Sequence, residues 1–294
     1  MNQYLGQHPD LYMAKKEMHF FGRDLHFGPQ FYRRDRDAYL AEFNAWNGQA
    51  HAGEASVWYL FSEQAAAEIK AFNPEARIII MLRDPVEMLY SLYYQFRADG
   101  NEHLPTFATA LSAQEDRRAS RNLGRRTYLC QGLVYDEVAG YTAQIRRYFE
   151  AFGRARVHVV IYDDFAAETD VVLKGVLDFL GVDSTRIGDS FRVVNGNKSA
   201  KSPLFQAILG DPLVRGTAIA LRSWLPRPVF TALQKTESQL LKFNARPEKR
   251  PRLDPDLRAS LKCQFQPEIE RLSELLSRDL THWTRDTALK PLVA

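Results

Sequence analysis

From Arg77 to Phe96 the chain reads R-I-I-I-M-L-R-D-P-V-E-M-L-Y-S-L-Y-Y-Q-F, a short apolar run followed by apolar positions at helical spacing. Ile78 to Leu82 is unbroken and rich in β-branched residues, which predicts a strand covered on both faces in a parallel sheet. Asp84 suits a helix N-cap and Pro85 the first helical position, and Leu89, Leu92, Tyr93 and Phe96 then share one face. The expected unit is strand, tight turn, helix. Upstream, the chain opens as the tail of a helix ending near Gly6, and a short helix is expected from Asp37 to Phe43. Gly53 to Leu60 reads as a strand entering a loop, and Ser62 caps a helix through Phe72 that leads into Ile78 to Leu82 as a parallel crossover.

Downstream, Ala98 to Gly124 is polar and without strong periodicity, which predicts a mobile or substrate-facing excursion. Order returns with a helix from Glu137, whose face of Val138, Tyr141, Ile145, Tyr148, Phe149 and Phe152 is closed by Gly153. Val157 to Tyr162 is the next strand, and Thr169 to Leu180 the next helix, ended by Gly181. Leu213 to Phe230 is apolar with Arg215, Arg222 and Arg227 spaced through it. A helix packed on the domain with snorkelling arginines is preferred there over one lying on a membrane. A final helical unit starts at Asp254-Pro255 and resumes at Pro267. Strands alternating with helices predict a doubly wound α/β sheet in one domain spanning residues 1–294.

Composition narrows the function classes. A net charge of +3 over 294 residues is too mild to require nucleic acid, yet leaves room for one local anion site. Cys130 and Cys263 lie far apart and form no framework or metal pair, which predicts reduced core thiols in a cytoplasmic compartment. There is no H-E-x-x-H, cysteine cluster or dense carboxylate set, so no metal is predicted. No apolar run reaches the roughly 18 residues of a membrane span.

Three stretches carry candidate chemistry. Arg83 sits where the Ile78 to Leu82 strand meets a helix N-terminus, a setting that offers backbone N–H groups to anions. Its guanidinium can grip a phosphate with two parallel hydrogen bonds, and Ser91 on the helix can add a hydroxyl. The same residues equally fit an arginine paired with Asp84. In K-K-E-M-H-F-F, Glu17 and His19 lie between apolar residues that can tune a general base, or form a surface ion pair beside two core phenylalanines. In V-N-G-N-K-S-A-K-S-P-L-F, Lys198, Ser199, Lys201 and Ser202 suit a loop that embraces phosphate, and suit any flexible basic loop.

Taken in order, Q-H-P-D-L-Y-M, K-E-M-H-F-F, G-E-A-S-V-W-Y-L, I-M-L-R-D-P-V-E-M-L-Y-S, A-G-Y-T-A-Q-I-R-R-Y-F, F-L-G-V and the Asn195 to Pro203 loop resemble the sulfotransferase family over nearly the whole chain. The likeness runs to bacterial members and to enzymes that sulfate heparan-type glycans. The resemblance implies a P-loop-NTPase-like α/β three-layer sandwich with a central parallel sheet, and 3′-phosphoadenosine 5′-phosphosulfate (PAPS) as donor without a metal. It implies that Arg83 and Ser91 hold the 3′-phosphate, that Lys198, Ser199, Lys201 and Ser202 close on the nucleotide, and that Glu17 is the general base with His19 beside it. A carbohydrate hydroxyl is the implied acceptor.

The chain departs from that pattern at three places. The first strand and the 5′-phosphosulfate loop, P-K-x-G-T-T or similar, should lie just upstream of Asn2 and are absent, so an N-terminally truncated domain is expected. Gly22 and Ala55 stand where glycan enzymes often carry an acidic residue and a lysine. The alternative to an enzyme is a non-catalytic nucleotide-binding or interaction module of sulfotransferase descent. A kinase-like reading is disfavoured, since no G-x-x-x-x-G-K-S/T occurs.

Overall fold

A computed structural model of the chain describes residues 1–27, 34–186, 198–200, 245–247 and 250–285. Helix α1 (Asn2–Leu5) leads into strand β1 (Leu11–Met13), helix α2 (Arg36–Ala41) and strand β2 (His51–Gly53). Helix α3 (Ala65–Phe72), strand β3 (Ile78–Leu82) and helix α4 (Pro85–Asp99) follow. Helices α5 (Phe107–Ser112), α6 (Gln114–Arg118), α7 (Tyr135–Val138) and α8 (Tyr141–Phe152) precede strand β4 (Val157–Ile161). Helices α9 (Tyr162–Ala167) and α10 (Thr169–Leu180), strands β5 (Lys198–Ala200) and β6 (Ala245–Pro247), and helix α11 (Pro255–Leu276) complete the described order.

β3 and β4 pair in parallel with Ile78 opposite Val157 and Leu82 opposite Ile161. Side chains alternate across this pair, as the two-residue repeat of a strand demands. Ile78, Ile80 and Leu82 face a core with Leu89, Tyr93 and Phe96 of α4, Ile145 and Tyr148 of α8, and Ile269 and Leu272 of α11. Ile79, Met81 and Val160 face a second core with Leu173, Val176 and Leu177 of α10 and Tyr4 and Leu5 of α1. Helices therefore cover both faces of a parallel pair, the three-layer α/β arrangement that the alternation predicts. The expected P-loop-like α/β class holds.

β1 and β2 form a second parallel pair, Leu11 opposite His51. It is tied to the end of α10 by ring nitrogens, His51 Nε2 lying 2.8 Å from the Leu180 carbonyl and His8 Nε2 2.9 Å from that of Asp183. The strand expected over Gly53 to Leu60 is thus displaced: only Gly53 belongs to β2, and Val57–Tyr59 is a single 3₁₀ turn. V-W-Y has strand-like composition, but Ser56 and Tyr59 use their hydroxyls on another segment of backbone instead of entering a ladder. The expected crossover from this stretch into β3 is likewise not a ladder, because β3 pairs with β4.

Four other expectations change. The Ala98 to Gly124 stretch is ordered, carrying α5 and α6 around a buried ion pair: Arg117 Nη2 lies 2.7 Å from Glu102 Oε1, and Tyr135 donates to Glu102 Oε2 at 2.9 Å. Those few contacts are not periodic, so a hydrophobic pattern does not register them. The helix expected from Glu137 is two helices, broken at Gly140. α11 is continuous through Pro267, not interrupted there. Cys130 is half-buried and Cys263 exposed, so the latter is no core thiol. Leu213 to Phe230 lies outside the described residues.

One packing detail borders the site described next. A Cβ placed on Gly132 would sit 2.9 Å from Trp58 Cη2 and 3.0 Å from both Leu129 Cδ2 and Phe96 Cζ. Trp58 and Phe96 are buried and stacked with ring centroids 5.7 Å apart, so none can swing aside. Gly132→Ala is expected to cost about 1–3 kcal/mol by overpacking. A lower urea midpoint with an unchanged slope would show it; an unchanged midpoint would contradict it.

Candidate active site

The first half of the site stands at the carboxyl end of the β3–β4 pair. Asp84 caps α4 by accepting from the Val86 and Glu87 amides, at 2.8 and 3.4 Å. Its carboxylate is spent on the helix and does not pair with Arg83. Because Leu82 and Ile161 are register partners, the next residues, Arg83 and Tyr162, leave adjacent strands at the same level. The Arg83 guanidinium lies 5.2 Å from the centre of the Tyr162 ring, within cation–π range. Its nearest carboxylate is Glu87, 3.8 Å away, which is more closely held by Arg258 at 2.5 Å. Arg83 is 37 % exposed and so remains available to an anion.

Arg250 joins this group from the segment before α11. Burial pulls its guanidinium below the ordinary arginine range, and the positive charge of Arg83 is the next cause. Tyr90, one turn beyond Val86 on α4, donates to the neighbouring Pro251 carbonyl at 3.1 Å and fixes that segment. The charges of Arg83 and Arg250 thus act on one another at this end of the strand pair, and a bound dianion would relieve that repulsion. Ser91 is half-buried one turn beyond Glu87, on the α4 face that carries the Arg83 contact. Sequence reasoning missed Arg250 and Tyr162. Arg250 lies in a basic, proline-rich stretch that no periodicity marks, and Tyr162 is expected at the end of a strand.

The second half is the K-E-M-H-F-F segment. Glu17 Oε2 lies 3.3 Å from His19 Nε2 and accepts from the Val57 amide at 3.2 Å, while Oε1 lies 3.4 Å from Lys16 Nζ. The His19 ring stacks on Phe27 with centroids 4.5 Å apart, and its Nδ1 is buried without a hydrogen-bond partner among the described residues. The ion pair that the sequence allowed is present, and so is a carboxylate–imidazole pair. The phenol of Tyr128, which follows the ordered excursion, is raised above the usual tyrosine range by burial first, with the charges of Asp99 and Glu17 adding to it.

The segment is held from below by a carboxylate that the sequence reading did not single out. Ser56 Oγ accepts from the Met18 and His19 amides, both at 3.1 Å, and donates to Glu54 Oε2 at 2.9 Å. Tyr59 Oη accepts from the Phe20 and Phe21 amides at 2.8 and 3.3 Å, and donates to Glu54 Oε1 at 2.7 Å. Burial pushes the Glu54 carboxyl up, and the Tyr59, Ser56 and Tyr39 hydroxyls oppose that. Lys198 and Ser199 fall on β5, paired antiparallel with β6, where a loop was expected. Lys201 and Ser202 lie outside the described residues.

His19 gives a pH prediction. Burial lowers its pKa below the ordinary value of 6.5, outweighing the opposite pull of Glu17, with Lys16 acting in the same direction as burial. The unfolded chain then binds the proton more readily than the folded one. The stability linked to this ring is present above the ordinary value and is lost as pH falls through the lower folded value. In a thermal-melting series from about pH 8 to about pH 5, His19→Asn should remove part of the acid-side drop in Tm. Parallel profiles for the two proteins would refute this.

Residues 61–202 match the family model for the sulfotransferase domain. Over 93 residues the chain is 32 % identical to heparan sulfate glucosamine 3-O-sulfotransferase 3B1 of Mus musculus, covering 32 % of this chain and 22 % of that protein. Over 186 residues it is 27 % identical to bifunctional heparan sulfate N-deacetylase/N-sulfotransferase 1 of Mus musculus, covering 62 % and 20 %. The matches span about a fifth of the length of these curated relatives. A crystal structure of a sulfotransferase from Alicyclobacillus acidocaldarius superposes with a TM-score of 0.67 at 28 % identity, covering 97 % of this chain and 92 % of that one.

Proposed function

We propose that this chain is a sulfotransferase that transfers a sulfuryl group from PAPS to a hydroxyl of a carbohydrate, on its likeness to the sulfotransferase domain over residues 61–202 and to a bacterial sulfotransferase over 97 % of its length. The observation that carries this reading is the convergence of Arg83 and Arg250 beside the capped N-terminus of α4, at the carboxyl end of a parallel strand. Two guanidinium groups suit a doubly charged phosphate, and the 3′-phosphate of the donor is such a group. Ser91 adds a hydroxyl on the same helix face. Tyr162 offers an aromatic face beside the site, and Lys198, Ser199, Lys201 and Ser202 are assigned to closure over the nucleotide. The carbohydrate acceptor is carried over from the heparan sulfate sulfotransferases that the chain resembles.

Chemically, sulfuryl transfer is an in-line displacement in which positioning and charge stabilisation do most of the work. The acceptor oxygen forms its bond to sulfur as the bond from sulfur to the 5′-phosphate oxygen breaks, and the electron pair leaves with 3′-phosphoadenosine 5′-phosphate. Glu17 takes the proton of the acceptor hydroxyl. His19, pinned by Phe27 with its Nε2 3.3 Å from Glu17, packs beside the carboxylate.

Calorimetric titration with 3′-phosphoadenosine 5′-phosphate and with ATP tests the nucleotide. The 3′-phosphorylated nucleotide should bind at least about tenfold more tightly, a difference of about 1.4 kcal/mol. Equal affinities would overturn the assignment. Binding of PAPS without transfer to heparan-type oligosaccharides or to simpler hydroxyl, amine and phenol acceptors would instead favour the non-catalytic module.

A further inference from the structure

We propose that Glu54 is a positioning residue for the general base, ordering the segment that carries Glu17 and His19 through the hydroxyls of Ser56 and Tyr59. The inference rests on the reading that Glu17 accepts the proton of the acceptor hydroxyl. It goes beyond that reading by naming the group that fixes Glu17 in place.

The hydrogen-bond inventory is closed. A hydroxyl has one proton to give and two lone pairs to receive. Ser56 gives its proton to Glu54 and receives the Met18 and His19 amides; Tyr59 gives its proton to Glu54 and receives the Phe20 and Phe21 amides. Four consecutive backbone N–H groups are thus satisfied by two oxygens whose protons converge on one carboxylate. Only an acceptor at both carboxyl oxygens permits this. A glutamine at 54 would turn an NH₂ donor towards a hydroxyl oxygen with no lone pair free, and at least one of the four amide contacts must break.

The next two amides have a separate anchor. Gly22 and Arg23 donate directly to Glu68, at 2.8 and 3.3 Å. The stretch from Met18 to Arg23 is therefore held by two carboxylates acting on different residues, one through hydroxyls and one directly. Glu54 is the one whose amides adjoin Glu17. Its segment also reaches the base itself, since the Val57 amide donates to Glu17.

The test is Glu54→Gln in the intact protein, read by residue-resolved amide hydrogen exchange and by steady-state sulfuryl transfer to a heparan-type oligosaccharide. The expected result is exchange at least about tenfold faster at residues 18–21, with Gly22, Arg23 and β3 unchanged. Turnover should fall by about 10- to 100-fold, with the affinity for 3′-phosphoadenosine 5′-phosphate within about twofold of the parent. Wild-type turnover, or exchange accelerated equally in β3, would overturn the inference.

Tyr59→Phe is the second variant, for use if Glu54→Gln does not fold. It should free the amides of Phe20 and Phe21 and leave those of Met18 and His19 protected; equal protection at all four would also overturn the inference. If the unaltered protein transfers no sulfuryl group at all, the general-base reading falls and takes the catalytic role of Glu54 with it. The exchange pattern would then still report whether Glu54 anchors the segment, so the two failures are distinguishable.

Discussion

Replacing Arg83 by alanine is expected to weaken binding of 3′-phosphoadenosine 5′-phosphate by at least about 100-fold, or about 2.7 kcal/mol. Glu87 is held by Arg258 at 2.5 Å and stands 3.8 Å from Arg83, so Arg83 does not have to surrender a tight ion pair to meet a phosphate. Arg250 is already depressed by burial and by the charge of Arg83, a repulsion that a bound dianion reverses. Removing Arg83 deletes a charge-assisted, bidentate contact and leaves Arg250 to bind alone. Arg83→Lys should recover only part of the loss, because an ammonium is a point charge without the guanidinium fork.

Folding should be little affected, since Arg83 is 37 % exposed and Asp84, not Arg83, caps α4. Calorimetry alongside thermal melting separates the outcomes. Unchanged affinity at an unchanged Tm would remove the phosphate assignment, and with it the nucleotide on which the proposed reaction depends.

The legible parts of this chain are those set by local periodicity and capping. β3, the start of α4 at Asp84-Pro85, and α10 with its closing Gly181 all lie where the pattern of Ile, Leu and cap residues places them. The site halves around Arg83 and Glu17 could be nominated for a related reason: each sits in a short segment where charge interrupts an apolar run. What periodicity could not show is which distant residue completes each half. Arg250 reaches Arg83 across the sequence from beyond residue 186, and nothing in R-P-E-K-R-P-R marks it off from a solvated basic linker.

Glu54 was hidden differently. G-E-A-S-V-W-Y-L has the composition of a strand, and the use of its Ser, Tyr and Glu side chains becomes visible only when the Met18 to Phe21 backbone lies against them. The order of the Ala98 to Gly124 stretch, where a mobile segment was one of two expectations, was hidden for the opposite reason. Its order comes from one buried ion pair and its hydrogen bonds, Glu102 with Arg117 and Tyr135, and such a nucleus leaves no repeating signature.

Glu17→Gln is the second large effect: turnover should fall by about 10²- to 10⁴-fold, the range for a lost general base, with nucleotide affinity unchanged. Glutamine nearly matches glutamate in shape, so its carbonyl oxygen can still accept from the Val57 amide, the contact that orients the side chain. With that oxygen kept beside His19, the atom replaced by NH₂ is the one facing Lys16, and the negative charge that takes the proton is what disappears. The nucleotide site is built from Arg83, Arg250 and α4, none of which touches Glu17 among the described contacts, so the two losses should separate in kcat and Kd. The paired measurement discriminates three roles. A fall in turnover alone identifies the base, and a fall in both turnover and affinity makes Glu17 part of the binding wall. Equal turnover retires Glu17 and moves the search for the base to His19, the other group of that pair able to take a proton.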